Sequence, residues 1–183
     1  MIFETIVTTQ SVEGRTHIAP MGIYEQDGLA VLAPFKPSAT LGNVLATGHA
    51  VQNFCDDVRV FAGCLTGRCD WPLAPARLIP CVRLVNALGH SELRLERVQE
   101  DKLRPRLYCR RVHQEQHGGF RGFNRAQAAV IEAAILVSRL DMLPWEKIEA
   151  EVKYLSIALE KTAGPHEREA WSWLMEKIDA KRG

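Results

Sequence analysis

The hydrophobic pattern changes its period near Gly118-Gly119. Before that point apolar residues alternate with polar ones or gather in short β-branched runs broken by turn residues. After it they recur at helical spacing through stretches with few breaks. Ile2 to Thr8 alternates and reads as a strand. Glu13-Gly14 marks a turn, and Arg15 to Tyr24 reads as a second strand. Asp27-Gly28 is a hairpin signal, with Leu29 to Phe35 continuing as a buried strand. Pro37 then opens a short helix that carries Leu41, Val44 and Leu45 and ends at Gly48. Ala50 to Phe54 reads as a strand, Asp56 to Thr66 fits a short helix or a strand, and Gly67 to Pro75 reads as a loop. Leu78 to Val98, kinked or interrupted, and Leu107 to His117 complete the strand-rich part.

Helices follow. Asn124 with Gln127 resembles a capping box ahead of Val130, Ala134 and Val137 on one face. Leu143-Pro144 breaks that helix, and Pro144 suits the first turn of the next. There Ile148, Val152, Leu155 and Leu159 form the apolar stripe, and Glu149 is spaced to pair with Lys153. Gly164-Pro165 stops it, and a third helix carries Ala170, Trp171, Leu174 and Ile178. Strands first and helices after predict an α+β chain, with a β part over residues 1–120 and a helical subdomain over 121–183.

Composition narrows the possibilities. Hydrophobic residues make up 46% and charged residues 25% of the 183, as in ordinary globular chains. A net charge of +1 with interspersed signs provides no electrostatic footprint for nucleic acid or an anionic membrane. The five cysteines (Cys55, Cys64, Cys69, Cys81, Cys109) lack a dense small-scaffold spacing and read as reduced thiols. Met1 to Gln10 holds Glu4 and no basic flank, so no signal peptide is expected, and no run approaches a membrane span. The expectation is a cytoplasmic protein.

Standard catalytic signatures are missing: no Walker phosphate loop, no Gly-x-Ser-x-Gly elbow, no His-Glu-x-x-His helix. Gly118-Gly119 with Gly122 lacks the spacing of a dinucleotide fingerprint and reads as a linker. His113 and His117 would share a face of a strand, and Cys64 and Cys69 offer thiolates. The spacing is looser than in structural zinc sites and no carboxylate is placed to complete the set, so no metal site is expected.

Pro34 to Asn43 is more informative. A strand ends at Phe35 and a helix begins within a few residues, where free N–H groups favour an anion. Ser38 and Thr40 add hydroxyls and Lys36 a cation. A plain cap at Ser38 would account for one hydroxyl equally well, so the segment alone fits both a helix cap and a phosphate cradle.

With His17-Ile18-Ala19-Pro20-Met21-Gly22 and Asn53-Phe54-Cys55-Asp56-Asp57 added, the sequence resembles the FMN-binding split barrels related to flavin reductases and pyridoxamine-phosphate oxidases. It is most similar to a branch with a C-terminal helical extension, and the resemblance continues through Gly122-Phe123-Asn124-Arg125-Ala126 to Val130-Ile131-Glu132-Ala133. The resemblance implies an antiparallel split β-barrel followed by a three-helix subdomain, with FMN as cofactor. It places the phosphate at Lys36, Ser38, Thr40 and Asn43, and lays the flavin ring along Ile18, Ala19, Pro20 and Met21. Asn53 and Asp57 become contacts to the ribityl chain or pyrimidine edge. His17 either faces the ring or packs satisfied against the barrel. Lys36 is the one cation nearby, leaving Arg59 or Arg77 to supply a second. A homodimer with FMN near the subunit interface is implied too. The helices would cover the barrel, extend the dimer contact or wall the pocket, with Trp171 and Trp173 read as core. The implied activity is an FMN-dependent oxidoreductase with an unidentified small-molecule redox partner. The alternatives are an FMN carrier or regulatory subunit, or a barrel that takes another cofactor such as deazaflavin or haem.

Overall fold

In the computed structural model, which describes residues 1–182, Asp27 and Gly28 both take positive φ, 54° and 76°. Two such residues form the tight turn that suits the twist of paired strands. They fold β2 (Thr16–Gln26) back onto β3 (Leu29–Leu32). With β1 (Ile2–Gln10), β4 (His49–Phe54), β7 (Gly89–Gln99) and β8 (Arg106–Gln116), these strands close an antiparallel barrel in the order β1-β2-β3-β8-β7-β4. Alternation along each strand sends Val7, Ile23, Leu32, Ala50, Leu93 and Leu107 into one buried cluster. Helix α1 (Ala39–Thr47) adds Leu41 and Val44 to that cluster. Ser38 caps its start and Gly48, at φ 76°, ends it in the left-handed conformation that glycine adopts without penalty.

The expected long segment from Leu78 to Val98 is two strands. β6 (Val82–Leu84) pairs with β5 (Leu73–Pro75) in a separate two-stranded sheet, and β7 starts only at Gly89. Glu92 explains part of the break. Its buried carboxylate accepts the N–H groups of Arg77, Leu78 (2.7 Å) and Ile79 (3.1 Å), so that stretch is held by a side chain and not by a ladder. Ile79 and Cys81 then pack with Val51 in a second cluster.

The chain divides into two compact units, Met1–Cys55 with Trp71–Gly119, and Asp56–Asp70 with Phe120–Gly183. The sequence boundary at 120/121 left residues 56–70 with the barrel. The structure resolves that stretch as helix α2 (Val58–Thr66) and assigns it to the helical unit. Val58 and Ala62 join the buried cluster of Ala126, Ala129, Val130, Ala133 and Leu174, and so link α2 with α3 (Arg125–Val137) and α5 (Pro165–Arg182). Helix α4 (Trp145–Thr162) contributes Ile148 and Leu159.

Asn124 does cap α3, accepting from the N–H groups of Ala126 and Gln127. The reciprocal half of the box is not formed, because the Gln127 amide donates to Glu167. Pro144 occupies the N-cap of α4, just outside the first turn. Glu149 pairs with Arg182, and the spaced pair on α4 is Lys147 with Glu151. Trp171 and Trp173 pack against the helical core. Cys81 and Cys109 are buried, Cys69 is exposed, and Cys55 and Cys64 are half-buried. Among the described residues no helix is long and apolar enough to cross a membrane.

Candidate functional site

β1 pairs with β2 from Thr16 to Tyr24, whereas β3 pairs with it only from Ile23 to Gln26. Over Thr16–Gly22 the second edge of β2 therefore has no strand beside it among the described residues, and the barrel wall is split there. Pro20 suits that edge because it brings no N–H to a ladder. The stretch expected to carry the ring, Ile18 to Met21, thus coincides with the opening. His17 faces Thr9 across the β1–β2 ladder and is half-buried. Burial lowers its pKa, so the ring is neutral at neutral pH.

Helix α1 is fastened to β1, the strand that pairs with the other edge of β2. The Asn43 amide donates to Thr9 Oγ1 at 3.0 Å, and Thr9 is the partner of His17. Of the expected cradle residues, Asn43 thus reaches the β1–β2 hairpin at the Thr9–His17 pair. Ser38 Oγ accepts the Leu41 N–H at 3.3 Å, which is the cap reading of the sequence. Helix geometry leaves the N–H groups of Ala39 and Thr40 without an intrahelical acceptor. The Thr40 side chain is 2% exposed and sits with Leu41 and Val44 on the buried face of α1.

Lys36 is half-exposed and its ammonium lies 3.3 Å from Glu100. Its N–H donates to the carbonyl of Leu103, which brings in the loop between β7 and β8. From that loop Arg104 donates Nε and a terminal N–H to the Ala33 carbonyl, both at 3.0 Å, and its guanidinium lies 4.6 Å from the Phe35 ring centroid. Asp101 shapes the loop by accepting the N–H groups of Arg104 and Leu103, and those two bonds hold its carboxyl below the usual range. Arg104 is a second cation beside this segment, and the sequence reading did not name it. It reaches this segment only through folding, and no local pattern marks it.

The two cations named from sequence lie on other segments. Arg59 lies in the helical unit, where Asp57 grips it with both carboxylate oxygens and Glu169 adds a third contact. The Asp57 bonds raise its pKa further, against a smaller opposing effect of burial. Arg77 lies on the loop pinned by Glu92. Asp57 itself is the N-cap of α2. Asn53 is 0% exposed, donating to the carbonyls of Ile6 and Val51 and to Thr8 Oγ1 while accepting the Leu84 N–H at 2.8 Å. Its amide ties β4 to β1 and β6, which accounts for an asparagine there without a ligand.

A closed six-stranded antiparallel barrel, split along β2 and followed by helices, defines an α+β protein of the split-barrel class. Two family models cover it, "Protein of unknown function (DUF447) N-terminal domain" over residues 3–118 and "Protein of unknown function (DUF447)" over residues 124–176. The chain belongs to the DUF447 family. No curated protein matches the sequence. Among solved structures, an FMN-bound DUF447 protein of Methanosarcina mazei is similar with a TM-score of 0.82 at 18% identity, over 96% of this chain and 94% of that one. The 2-nitrobenzoate 2-nitroreductase of Pseudomonas fluorescens gives 0.54 at 22% identity, over 62% and 64% of the two chains. An FMN-binding protein of Thermus thermophilus with bound p-hydroxybenzaldehyde gives 0.53 at 17% identity, over 62% and 71%. At these identities the likeness is one of fold.

Proposed function

We propose that this chain binds FMN and serves as a flavin-dependent oxidoreductase acting on a small molecule in the cytoplasm. One observation carries the reading: β3 pairs with β2 only over Ile23–Gln26, and past Leu32 the chain runs into α1, whose Asn43 bonds Thr9 opposite His17. The donor set suits a phosphate dianion. Lys36 and Arg104 supply charge, the Ser38 hydroxyl and the N–H groups of Ala39 and Thr40 supply hydrogen bonds, and the start of α1 supplies a favourable dipole. The edge from Ile18 to Met21 backs the ring, with neutral His17 at its end. Bound FMN would supply hydride and single-electron transfer. The protein's part is to bind, orient and shield it. The FMN-bound family member of Methanosarcina mazei supports this reading.

A homodimer with FMN near the subunit interface belongs to the same proposal. Phe35, next to Lys36, is 63% exposed, an apolar ring beside the cradle that a second copy would cover. The test starts with the absorption spectrum of the purified protein and chromatography of any released chromophore. FMN retained, or taken up to one per chain, is the expected result; FAD, haem or no flavin uptake overturns it. Anaerobic reduction of the bound flavin by NADH or NADPH then separates an oxidoreductase from a carrier. Light scattering that shows an FMN-loaded monomer removes the shared interface.

A further inference from the structure

The β7–β8 ladder sets His90 opposite Glu115 and Glu92 opposite His113. Opposite residues of an antiparallel pair share a face, and the period of two adds His117. Three imidazoles and two carboxylates thus meet on one face of the barrel wall, away from the core that receives Leu93. His90 and Glu92 are 1% and 0% exposed, while the Glu115 side chain is 48% exposed. The cluster therefore runs from a buried floor to an open rim.

Glu92 fixes the floor. Its carboxylate accepts the N–H groups of Arg77, Leu78 and Ile79. An ionised carboxylate only accepts, so the His90 Nε2 facing it at 3.4 Å carries the proton and Nδ1 keeps a lone pair. That lone pair meets Nε2 of His117 at 2.9 Å, with the two rings within 6° of parallel. Beside His90, His113 Nε2 lies 3.4 Å from Glu115 Oε2. His90, His113 and Glu115 each offer one ligand atom within 4.8 Å of the others. Gly89 admits this closeness, since a Cβ there would meet the Glu115 carbonyl at 2.9 Å.

We propose that His90, His113 and Glu115 bind one divalent transition-metal ion of borderline softness, of the zinc class, and that His117, 2.9 Å from His90, swings in as the fourth donor. Imidazole with carboxylate, and no thiolate, selects such ions over calcium or magnesium. Donors on a zinc tetrahedron with bonds of about 2.0–2.1 Å stand about 3.4 Å apart. The His90–His117 pair needs to open by only a few tenths of an ångström, the metal replacing the proton that joins the rings. His113 and Glu115 close from the rim. Glu92, bonded to the far nitrogen of His90, is the outer carboxylate that commonly orients a metal-bound imidazole. A hydrogen-bonded histidine cluster without metal is the competing reading, and it predicts no stoichiometric uptake. The proposal does not depend on flavin binding.

The experiment uses the full chain, stripped with chelator, desalted and titrated with zinc chloride by calorimetry, with cobalt(II) as an absorbing probe. One zinc per chain is expected, with visible cobalt bands of low-symmetry coordination, a zinc-dependent rise in melting temperature, and affinity that falls as the imidazoles protonate. His113→Ala and Glu115→Gln should each weaken zinc by about tenfold or more, and together abolish it. His166→Ala, on α5, should change nothing. Should His113→Ala lower the melting temperature of the apoprotein, Glu115→Gln at the exposed rim still decides the matter. No stoichiometric uptake, or uptake that the double variant leaves intact, overturns the site.

Discussion

Replacing Glu92 by glutamine tests how the loop at residues 77–79 is held to the barrel wall. One carboxylate oxygen accepts from Arg77 N–H, and the other from Leu78 and Ile79 N–H. Glutamine keeps one oxygen, so in either orientation its NH2 group faces a backbone donor. The arrangement that loses least keeps Leu78 and Ile79 and sets the amide against Arg77 N–H. A hydrogen bond to a charged acceptor contributes roughly 1.5–3 kcal/mol, and a buried donor left unmet costs roughly 1–3 kcal/mol. The expected loss at pH 7 is therefore about 3–5 kcal/mol, read from urea unfolding in chelator so that metal does not contribute. The pH dependence is a second check. The folded-state pKa of Glu92 lies below its ordinary 4.5, so its contribution is fully present above that value and disappears as pH falls through the folded pKa. The gap between wild type and Glu92→Gln should therefore narrow below about pH 4.5. A loss under about 0.5 kcal/mol at pH 7, or a gap that persists at low pH, would refute the reasoning.

Arg104→Ala should weaken FMN by about tenfold or more and leave riboflavin, which has no phosphate, nearly unchanged; equal loss for both in parallel titrations removes Arg104 from the cradle. Thr40→Ala should leave the FMN-to-riboflavin affinity ratio near wild type, since its hydroxyl lies on the buried face; a selective loss for FMN restores the hydroxyl as a contact. Asn53→Ala should destabilise the apoprotein by about 2–4 kcal/mol, because the Leu84 N–H loses its acceptor inside the wall; a melt near wild type contradicts that role. Burial pushes the thiols of Cys81 and Cys109 up to about 11 and about 12, so in the native protein a maleimide should reach exposed Cys69 first, and rapid labelling of the buried pair counts against this core.

Some of this was legible along the chain because local chemistry and fold agree. The alternation of β1 and β2, the Asp27-Gly28 turn, the Ser38 and Gly48 caps of α1 and the Asn124 cap of α3 all depend on neighbours close in sequence. Helix α2 was not legible, because its apolar residues fit a strand as well as a helix. Only the alanine-lined core around Ala126, Ala129 and Ala133 shows where Val58 and Ala62 belong. Glu92 reads in sequence as the polar half of an alternating strand, yet it is buried beneath a loop that lies outside its own ladder. The metal reading of His113 and His117 lacked a carboxylate because Glu115, between them, was not weighed, and because His90 joins them only across the β7–β8 pairing.

The candidate site has one structural origin that no single motif displays. β3 is only four residues long and ends at Leu32. Pro34 cannot donate to a ladder, and the Ala33 carbonyl is taken by the guanidinium of Arg104. The chain therefore leaves the sheet at this point, and its departure does two things together. It ends the β2–β3 ladder at Ile23, so that among the described residues no second strand follows β2 over Thr16–Gly22, along the strand that Pro20 already suits. It also carries Phe35, Lys36 and Ser38 directly into the start of α1, which Asn43 fastens to Thr9 on the neighbouring strand. The opening and the cradle are thus consequences of the same strand end. Arg104 serves both, ending the ladder with its hydrogen bonds and placing a second positive charge where an anion would approach.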